Sequence, residues 1–564
     1  MDHLKKYKKQ IVTYLCILFS LFIISLIIKV TAQSQSELNE SLIDSVRIDE
    51  VLYNGIVLPD EWPPRGKSDP RVPPPYIVSP PEVIPIDVGR QLFVDDFLIE
   101  STNMERVFHR AESYIGNPVI KPDKSWEKDG EVPWARPVSD GVWYDPEDKL
   151  FKMWYMAGMY PRETCYAYSK DGKFWYKPVL DIVEGTNIVL PTEGGRRDSN
   201  TIWLDLNENN PQMRYKMWQI MHYGEGMTDS KMNLFFSGDG IHWQKAVTSQ
   251  RRLRGERTTI FYNPFRKVWV YSLRNNGGGR HRDYQEDVDP VRGTSEVEMH
   301  RTSWIYADDL DMMTFGIECQ LYTLDCIAYE SLILGLFSVY RGTPEGQPKH
   351  TDVCLGYTRD GYYWTRPDRK PFHSISDNKD DWDYRYIQSS GGGCLVVGDK
   401  LYFYLAGTSD MIDPSFPVGP GYTGLVTLRR DGFASMNAGA LERILTTRSV
   451  VFKGGHLFVN VNADNGELRI EVLDNNNNVI DNFSKEKCIP VKTDGTIQNV
   501  RWKEADDLFS LSGQVVKFRF YLKKGSLYSF WISPDKSGAS YGYVAAGGPG
   551  FSSSVDKEGL NAYR

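Results

Sequence analysis

Carboxylates and arginines recur together in this chain at the head of short alternating runs. Trp134-Ala-Arg-Pro-Val-Ser-Asp-Gly-Val-Trp-Tyr144 carries Arg136 and Asp140, Arg196-Arg-Asp-Ser-Asn-Thr-Ile-Trp203 carries Arg197 and Asp198, and Arg254-Gly-Glu-Arg-Thr-Thr-Ile-Phe261 carries Glu256 and Arg257. Leu324-Asp-Cys-Ile-Ala-Tyr-Glu-Ser-Leu332 adds Asp325 and Glu330, and Tyr384-Arg-Tyr-Ile-Gln-Ser-Ser-Gly-Gly-Gly-Cys394 adds Arg385. Unpaired, such charges are expensive to bury, so a set of them points to chemistry as well as to salt bridges. Opposed carboxyl groups are the equipment for cleaving a glycosidic bond. One protonates the leaving oxygen and the other activates water or attacks the anomeric carbon. A third stabilises charge or tunes its neighbour. Asp140 and Asp198 are candidates for the opposing carboxylates. Glu256, Asp325 and Glu330 compete for the general acid, and Glu330 is preferred because its strand is the more apolar, which raises a carboxyl pKa.

The arginines favour an anionic substrate, because guanidinium groups grip carboxylate or sulfate bidentately. Arg136, Arg197, Arg257, Arg274, His281 and Arg385 are the candidate binding groups, with Trp134 as a surface on which a sugar ring stacks. Arg280, His281 and Arg282 follow the flexible stretch Asn275-Asn-Gly-Gly-Gly279, which is able to reach over a cleft. The 13% aromatic content suits both strands and sugar contacts. A net charge of −8 argues against nucleic acid as a partner. Cys165, Cys319, Cys326, Cys354, Cys394 and Cys488 show no paired spacing and no zinc-type spacing with histidine. No cofactor or metal is therefore expected, although a structural calcium stays compatible with the sequence.

The elements that position these residues repeat. Ser169-Lys-Asp-Gly-Lys-Phe-Trp175 returns as Ser237-Gly-Asp-Gly-Ile-His-Trp243 and Thr358-Arg-Asp-Gly-Tyr-Tyr-Trp364, with weaker copies at Tyr306-Ala-Asp-Asp-Leu310 and Arg430-Asp-Gly-Phe433. Asp-Gly supplies the positive φ of a tight hairpin. Asp171, Asp239, Asp309, Asp360 and Asp431 are spaced 68, 70, 51 and 71 residues apart. An alternating strand precedes each turn, as in Leu150 to Tyr155, Tyr215 to Trp218, Val268 to Tyr271, Leu334 to Tyr340 and Leu401 to Tyr404. A period of this length holding several short strands is a propeller blade. The expected fold is all-β, a five-bladed β-propeller over 91–444 followed by a small C-terminal β-sandwich over 445–540, with a flexible Gly/Ser-rich tail at 541–564. The first strand is expected at Gln91-Leu-Phe-Val-Asp-Asp-Phe-Leu-Ile-Glu100.

Lys5, Lys6, Lys8 and Lys9, an apolar run from Ile11 to Val30 and Thr31-Ala32-Gln33 read as a signal peptide over 1–32, with an uncleaved membrane anchor as the alternative. Either way the protein is expected to be exported: periplasmic, on the cell surface or secreted. Residues 33–90 form a leader whose second half is crowded with proline, which predicts an extended arm without helix.

One acid per inner strand of a five-fold repeat resembles the propeller glycosidases of glycoside hydrolase families 32, 43 and 68. The Asp-Gly-x-x-Trp turns resemble sialidase Asp boxes, without their full consensus. The Gln91–Glu100 segment, five blades and a sandwich ending in Val515-Val-Lys-Phe-Arg-Phe-Tyr-Leu-Lys523 and Leu527-Tyr-Ser-Phe530 resemble exported bacterial proteins labelled family-32-like, found near polysaccharide-degrading enzymes. The resemblance covers most of the mature chain. It implies Asp140 as base or nucleophile, Asp198 as transition-state stabiliser and Glu256 as the third-blade acid. Trp-x-Asn-Asp-Pro-Asn and Glu-Cys-Pro motifs are missing, which points away from fructan. The expectation is an exported glycoside hydrolase of an anionic polysaccharide or its oligosaccharides, such as a rhamnosidase of an ulvan-type polymer. The alternatives are a non-catalytic carbohydrate-binding propeller and a lyase using Tyr329 or His281 with Arg257.

Overall fold

Three of the five repeated aspartates build the same turn, and the reason is visible in their bonds. In the computed structural model, Ser169, Ser237 and Thr358 each accept the N–H of the turn glycine through the side-chain hydroxyl, at 2.9, 2.9 and 3.0 Å. Asp171, Asp239 and Asp360 each accept the N–H groups two and three residues on, at 2.8–2.9 Å. Gly172, Gly240 and Gly361 take φ of +73°, +80° and +84°, a region open to glycine at no steric cost. The structure describes residues 50–563 apart from 65–68, 70, 131, 160–161, 193, 225–228 and 413–417. The expected signal peptide and the alternative anchor lie outside the described residues.

The other two aspartates do not occupy that turn, which corrects the five-fold equivalence. Asp309 has no glycine after it. Asp308 instead caps a helix, Asp309–Phe315, by accepting the Leu310 N–H at 2.9 Å. Asp431 has φ +60° and is buried under Arg90, Tyr329, Ser529 and Asn460.

The chain is all-β, built of sheets whose strands pair antiparallel except for Ile84–Pro85 with Val450–Val451, with short helices between strands. The first sheet holds Ala135–Asp145, Leu150–Ala157, Glu163–Ser169, Trp175–Tyr176 and Ile188–Leu190. The second holds Arg196–Leu204, Tyr215–Tyr223, Asp229–Ser237 and Gln244–Thr248, and the third Thr259–Asn263, Val268–Asn275, His281–Asp287 and Thr302–Tyr306. The fourth holds Gln320–Glu330, Leu332–Tyr340 and Thr351–Thr358, and the fifth Ile387–Ser389, Leu395–Val397, Lys400–Thr408 and Gly421–Arg429.

Neighbouring sheets meet through the heads of these series. The Trp143 indole donates to the Ile202 carbonyl at 2.8 Å, and the Ile260 N–H donates to the Thr201 hydroxyl at 3.3 Å. The Thr259 hydroxyl donates to the Leu324 carbonyl, Ser338 and Ser389 hydroxyls meet at 3.2 Å, and the Val142 N–H donates to the Gly391 carbonyl at 3.2 Å. The turns dock outward: Trp154 donates to the Gly240 carbonyl at 2.7 Å and Tyr404 to that of Gly172 at 2.6 Å.

Two further six-stranded sheets pack face to face through Phe518 and Phe520 on one and Phe530 on the other, with ring centroids 5.8 and 5.2 Å from Phe530. They include the strands His456–Asn462, Glu467–Asp474, Val516–Lys523 and Gly525–Ser533. They also take Ile84–Pro85, Gln91–Leu92, Ile99–Thr102, Glu105–Phe108 and Ala434–Ala438, so the segment at 84–108 belongs here and the expected boundaries at 91 and 444 shift. Gln91–Glu100 is not one strand. Asp95 accepts the Phe97 N–H at 3.1 Å and turns the chain between two strand fragments.

Two other expectations are corrected. The arm holds a short helix, Pro75–Val78, because Pro75 sits in its first turn, where a missing N–H costs nothing. The tail is not flexible. Tyr543–Val544 pairs with Tyr329 and Glu330 at the edge of the fourth sheet, Phe551 is buried, and Asp556 pairs with Arg430 at 3.1 Å. The residues at 50–51 and 57–62 belong to a separate unit, in which Val51 bridges Val57.

The turn assignment has a direct test. Asp171→Ala removes an acceptor from two backbone N–H groups and is expected to cost about 1 kcal/mol. Asp309→Ala loses one exposed ion pair with Arg71, expected to be worth no more than about 1 kcal/mol and screened by salt. Urea unfolding of both variants at two salt concentrations reads the difference: the Asp171 loss persists in high salt and the Asp309 loss fades.

Candidate active site

Irregular backbone gathers at the heads of the first strands. The register slips between Arg136 and Gly141, between Arg197 and Asn200, and between Leu321 and Thr323. Ser139, Arg257 and Arg385 take φ of 59°, 60° and 61°. Bulges re-aim side chains, and strained non-glycine residues persist where surrounding structure over-determines them. Asp140 and Asp198 both lie within these slips.

Asp140 is fully buried. One oxygen accepts from Arg197 and from the Asn200 N–H at 3.1 Å, while Oδ2 has no hydrogen-bond partner among the described residues. Burial, opposed by Arg197, pushes its pKa up to about 6. Asp140, expected as the base or nucleophile, is thus fully buried and paired with Arg197 in this structure. Asp198 is also buried. It accepts the Arg257 N–H at 2.7 Å, and its Oδ1 lies 3.5 Å from Arg162 and 3.7 Å from Arg257. Burial would raise its pKa, but Arg257, His222 and Arg162 outweigh that and hold it well below the usual carboxylate range. Asp325 takes the Ser139 hydroxyl at 3.2 Å and that of Ser389, and burial raises its pKa. Glu256 is the member that reaches water: its side chain is 27% exposed while one oxygen accepts from Arg274 at 2.8 Å.

Glu330 is not part of this group, which corrects the preferred general acid. An extended strand rises about 3.3 Å per residue, so Glu330, at the end of Gln320–Glu330, lies far from Tyr322 near its start. It is buried against Arg90 at 3.4 Å and Arg430 at 3.3 Å, and accepts from Ser540 at 2.7 Å. Tyr329 beside it donates to Asp431 at 2.6 Å and is unavailable as a base.

The basic groups divide. Arg197 is committed to Asp140, Arg274 to Glu256 and Arg385 to Asp377 at 2.6 Å. His281 contacts the Gly279 carbonyl at 3.0 Å and Asp283 at 3.4 Å. Arg282 is buried and donates to the carbonyls of Arg257 and Tyr322, which fixes both backbones. Arg136 differs from all of these. It is 1% exposed, has no ion pair among the described residues, and lies 3.8 Å over Trp134 and 5.4 Å from Tyr386. Its Nε and Nη1 have no hydrogen-bond partner among the described residues. Burial brings its pKa down to about 10.

Sequence reasoning missed Tyr322, Tyr386, Lys349, Arg162 and His222. Tyr322 is ringed by Arg257, Arg274, Arg280 and Lys349, at 5.5 to 5.9 Å from its centroid. An aromatic or histidine in an alternating strand looks like core in a sequence, and Arg162 and Lys349 stand just outside strands, where a lone basic residue looks like solvated loop.

No protein-family description matches the chain, and no curated protein matches it. Among solved structures, it is similar to an N-acetylgalactosamine deacetylase from F. plautii in complex with blood group B trisaccharide. The identity is 15%, the match covers 59% of this chain and 96% of that one, and the TM-score is 0.40. A fructofuranosidase from Schwanniomyces occidentalis complexed with fructosylnystose matches at 12% identity over 71% of this chain and 95% of that one, with a TM-score of 0.35. An exo-beta-1,3-galactanase from Phanerochaete chrysosporium with galactose matches at 10% over 73% and 99%, with a TM-score of 0.33. Likeness at this level assigns no activity to the chain.

Glu330→Ala separates structure from chemistry. It leaves Arg90 and Arg430 short of a buried carboxylate and is expected to destabilise by about 3–5 kcal/mol, read by urea unfolding. A catalytic Glu330 would instead lose turnover with stability unchanged.

Proposed function

We propose that the chain is an exported carbohydrate-active hydrolase that cleaves a glycosidic bond in a uronate- or sulfate-bearing polysaccharide or its oligosaccharides. In this reading the five successive sheets are the blades of a five-bladed propeller, with their first strands about its axis. The observation that carries the reading is Arg136. A guanidinium buried without a carboxylate is costly, and its unused N–H groups, close to Arg257 and flanked by Trp134 and Tyr386, suit a planar anion carried on a ring that stacks on aromatic faces. Asp198 and Glu256 form the adjacent reactive pair, with ligand oxygens within 4.8 Å of each other. Glu256, open to water, faces the scissile bond, and Asp198 lies behind it to stabilise positive charge on the sugar ring.

Tyr322 supports a second reading, β-elimination on a uronate. Its ring lies among four cations, a setting that favours phenolate as a base while arginine neutralises the uronate carboxylate.

Incubation with a panel of uronate-bearing and sulfated oligosaccharides tests both. New reducing ends without ultraviolet-absorbing unsaturated products support hydrolysis. Unsaturated products support elimination. Saturable binding with neither leaves a binding module. Arg136→Ala is expected to lower kcat/KM on the charged oligomer by roughly 10- to 150-fold, the equivalent of about 1.5–3 kcal/mol, and to spare a neutral analogue of the same linkage. Equal losses on both would overturn the anionic substrate.

A further inference from the structure

We propose that Asp198, His222 and Glu256 hold one divalent cation, with zinc as the favoured occupant. The ligand atoms of these three residues lie within 4.8 Å of one another. They arrive from three segments: Asp198 from the bulged head of the second sheet, His222 from the end of the strand paired with it, and Glu256 from the approach to the third sheet. Zinc takes imidazole nitrogen and carboxylate oxygen at about 2.0–2.2 Å, so tetrahedral neighbours stand roughly 3.4 Å apart. Side-chain movements of about an ångström therefore close the set around an ion.

One atom of the group has no partner among the described residues, and a second makes ion pairs but no hydrogen bond. His222 is 5% exposed, and its Nε2 has no hydrogen-bond partner among the described residues; Asp198 is fully buried, and its Oδ1 has none either. Buried polar atoms are rarely left so. The other imidazole nitrogen, Nδ1, is 2.7 Å from the Ser230 hydroxyl. With Nδ1 donating, Nε2 keeps its lone pair free for an ion, the arrangement in which a ligating histidine is held by an outer hydrogen bond. Glu256 spends one oxygen on Arg274 and keeps the other for the ion.

Arg162 and Arg257, 3.5 and 3.7 Å from Asp198 Oδ1, compete with any cation. That competition disfavours calcium and magnesium, which rely on six or more oxygen ligands, and favours an ion that gains from imidazole. Three protein ligands leave a fourth position open. The inference bears on the hydrolase reading, since an ion would take the two carboxylates assigned there, but it is tested separately because binding is measured without substrate. If it holds, Asp198 and Glu256 act as ligands rather than as free carboxylates.

The test uses tag-free mature protein, stripped with chelator, reloaded and dialysed, with metal content read by mass spectrometry and stability by thermal melting. The expected result is one retained zinc per chain, with a raised Tm that calcium and magnesium do not reproduce. His222→Ala and Glu256→Gln should each lose the bound zinc, and Ser230→Ala should weaken its affinity by about 10- to 100-fold. Glu256 lies at the water-exposed edge, so its variant is a folded control if His222→Ala proves unstable. No retained zinc in the wild type, or equal retention in wild type and Glu256→Gln, overturns the proposal. Turnover that survives complete zinc removal would keep the hydrolase reading while leaving the binding result to decide the metal site.

Discussion

Charge buried where the first strands meet is balanced by the neighbouring sheet, and this constraint organises the molecule. One oxygen of Asp140 in the first sheet accepts from Arg197 and the Asn200 N–H of the second. Asp198 of the second takes the N–H of Arg257 at the approach to the third. Arg282 of the third holds the Tyr322 carbonyl of the fourth, and Asp325 of the fourth draws on Ser139 of the first and Ser389 of the fifth. Taking one of these sheets away strands a charge belonging to its neighbour, which costs far more than an ordinary lost contact. The sheets are therefore coupled by polar pairing at the centre, while the Trp154 and Tyr404 bonds to turn carbonyls couple them further out.

A second charged knot does the same work at the far end. Arg90, Glu330, Arg430, Asp431 and Asp556 come from widely separated parts of the chain and pair with side chains that are fully buried. Burial pushes the Asp431 pKa up, but Arg90 and Arg430 outweigh it and hold the carboxylate at about 2. This knot joins the fourth sheet, the packed phenylalanine sheets and the tail, and explains why a Gly/Ser-rich ending is ordered. The two clusters have similar composition, yet their bookkeeping differs. At the far end every acid faces an arginine. At the near end Arg136 has no acid, and His222 Nε2 has no hydrogen-bond partner among the described residues.

How much of this was legible in the sequence depends on whether the signal was local. The Ser-x-Asp-Gly turn is a local device, since hydroxyl, carboxylate and glycine act within a few residues, so three copies could be read directly. Its failure at Asp309 is equally local, because Asp-Asp-Leu offers no residue suited to positive φ. Asp140, Asp198 and Glu256 could be picked out together in the sequence because each stands in or just before the first strand of one repeat. Glu330 was misread because apolar surroundings in sequence suggest a raised pKa without telling which end of an eleven-residue strand the carboxyl occupies. The tail was misread for the same reason. Its composition says flexible, and only the long-range partners Arg430 and Tyr329 say otherwise.

The contrast between the two clusters is what separates function from stability here. A buried carboxylate that faces an arginine is explained by folding, as it is throughout the far-end knot. A buried arginine without an acid carries a cost that folding does not recover, and so does a histidine whose outer nitrogen is fixed while its inner one is idle. His222 lies beside Glu256, the carboxyl that reaches water, and Arg136 lies close to Arg257, the residue that follows it. An anion over Arg136 and a cation among Asp198, His222 and Glu256 would complete opposite deficits within one site, each lowering the electrostatic cost of the other's arrival. A ligand that brings a negative group to a bound ion fits that arrangement better than a neutral sugar does.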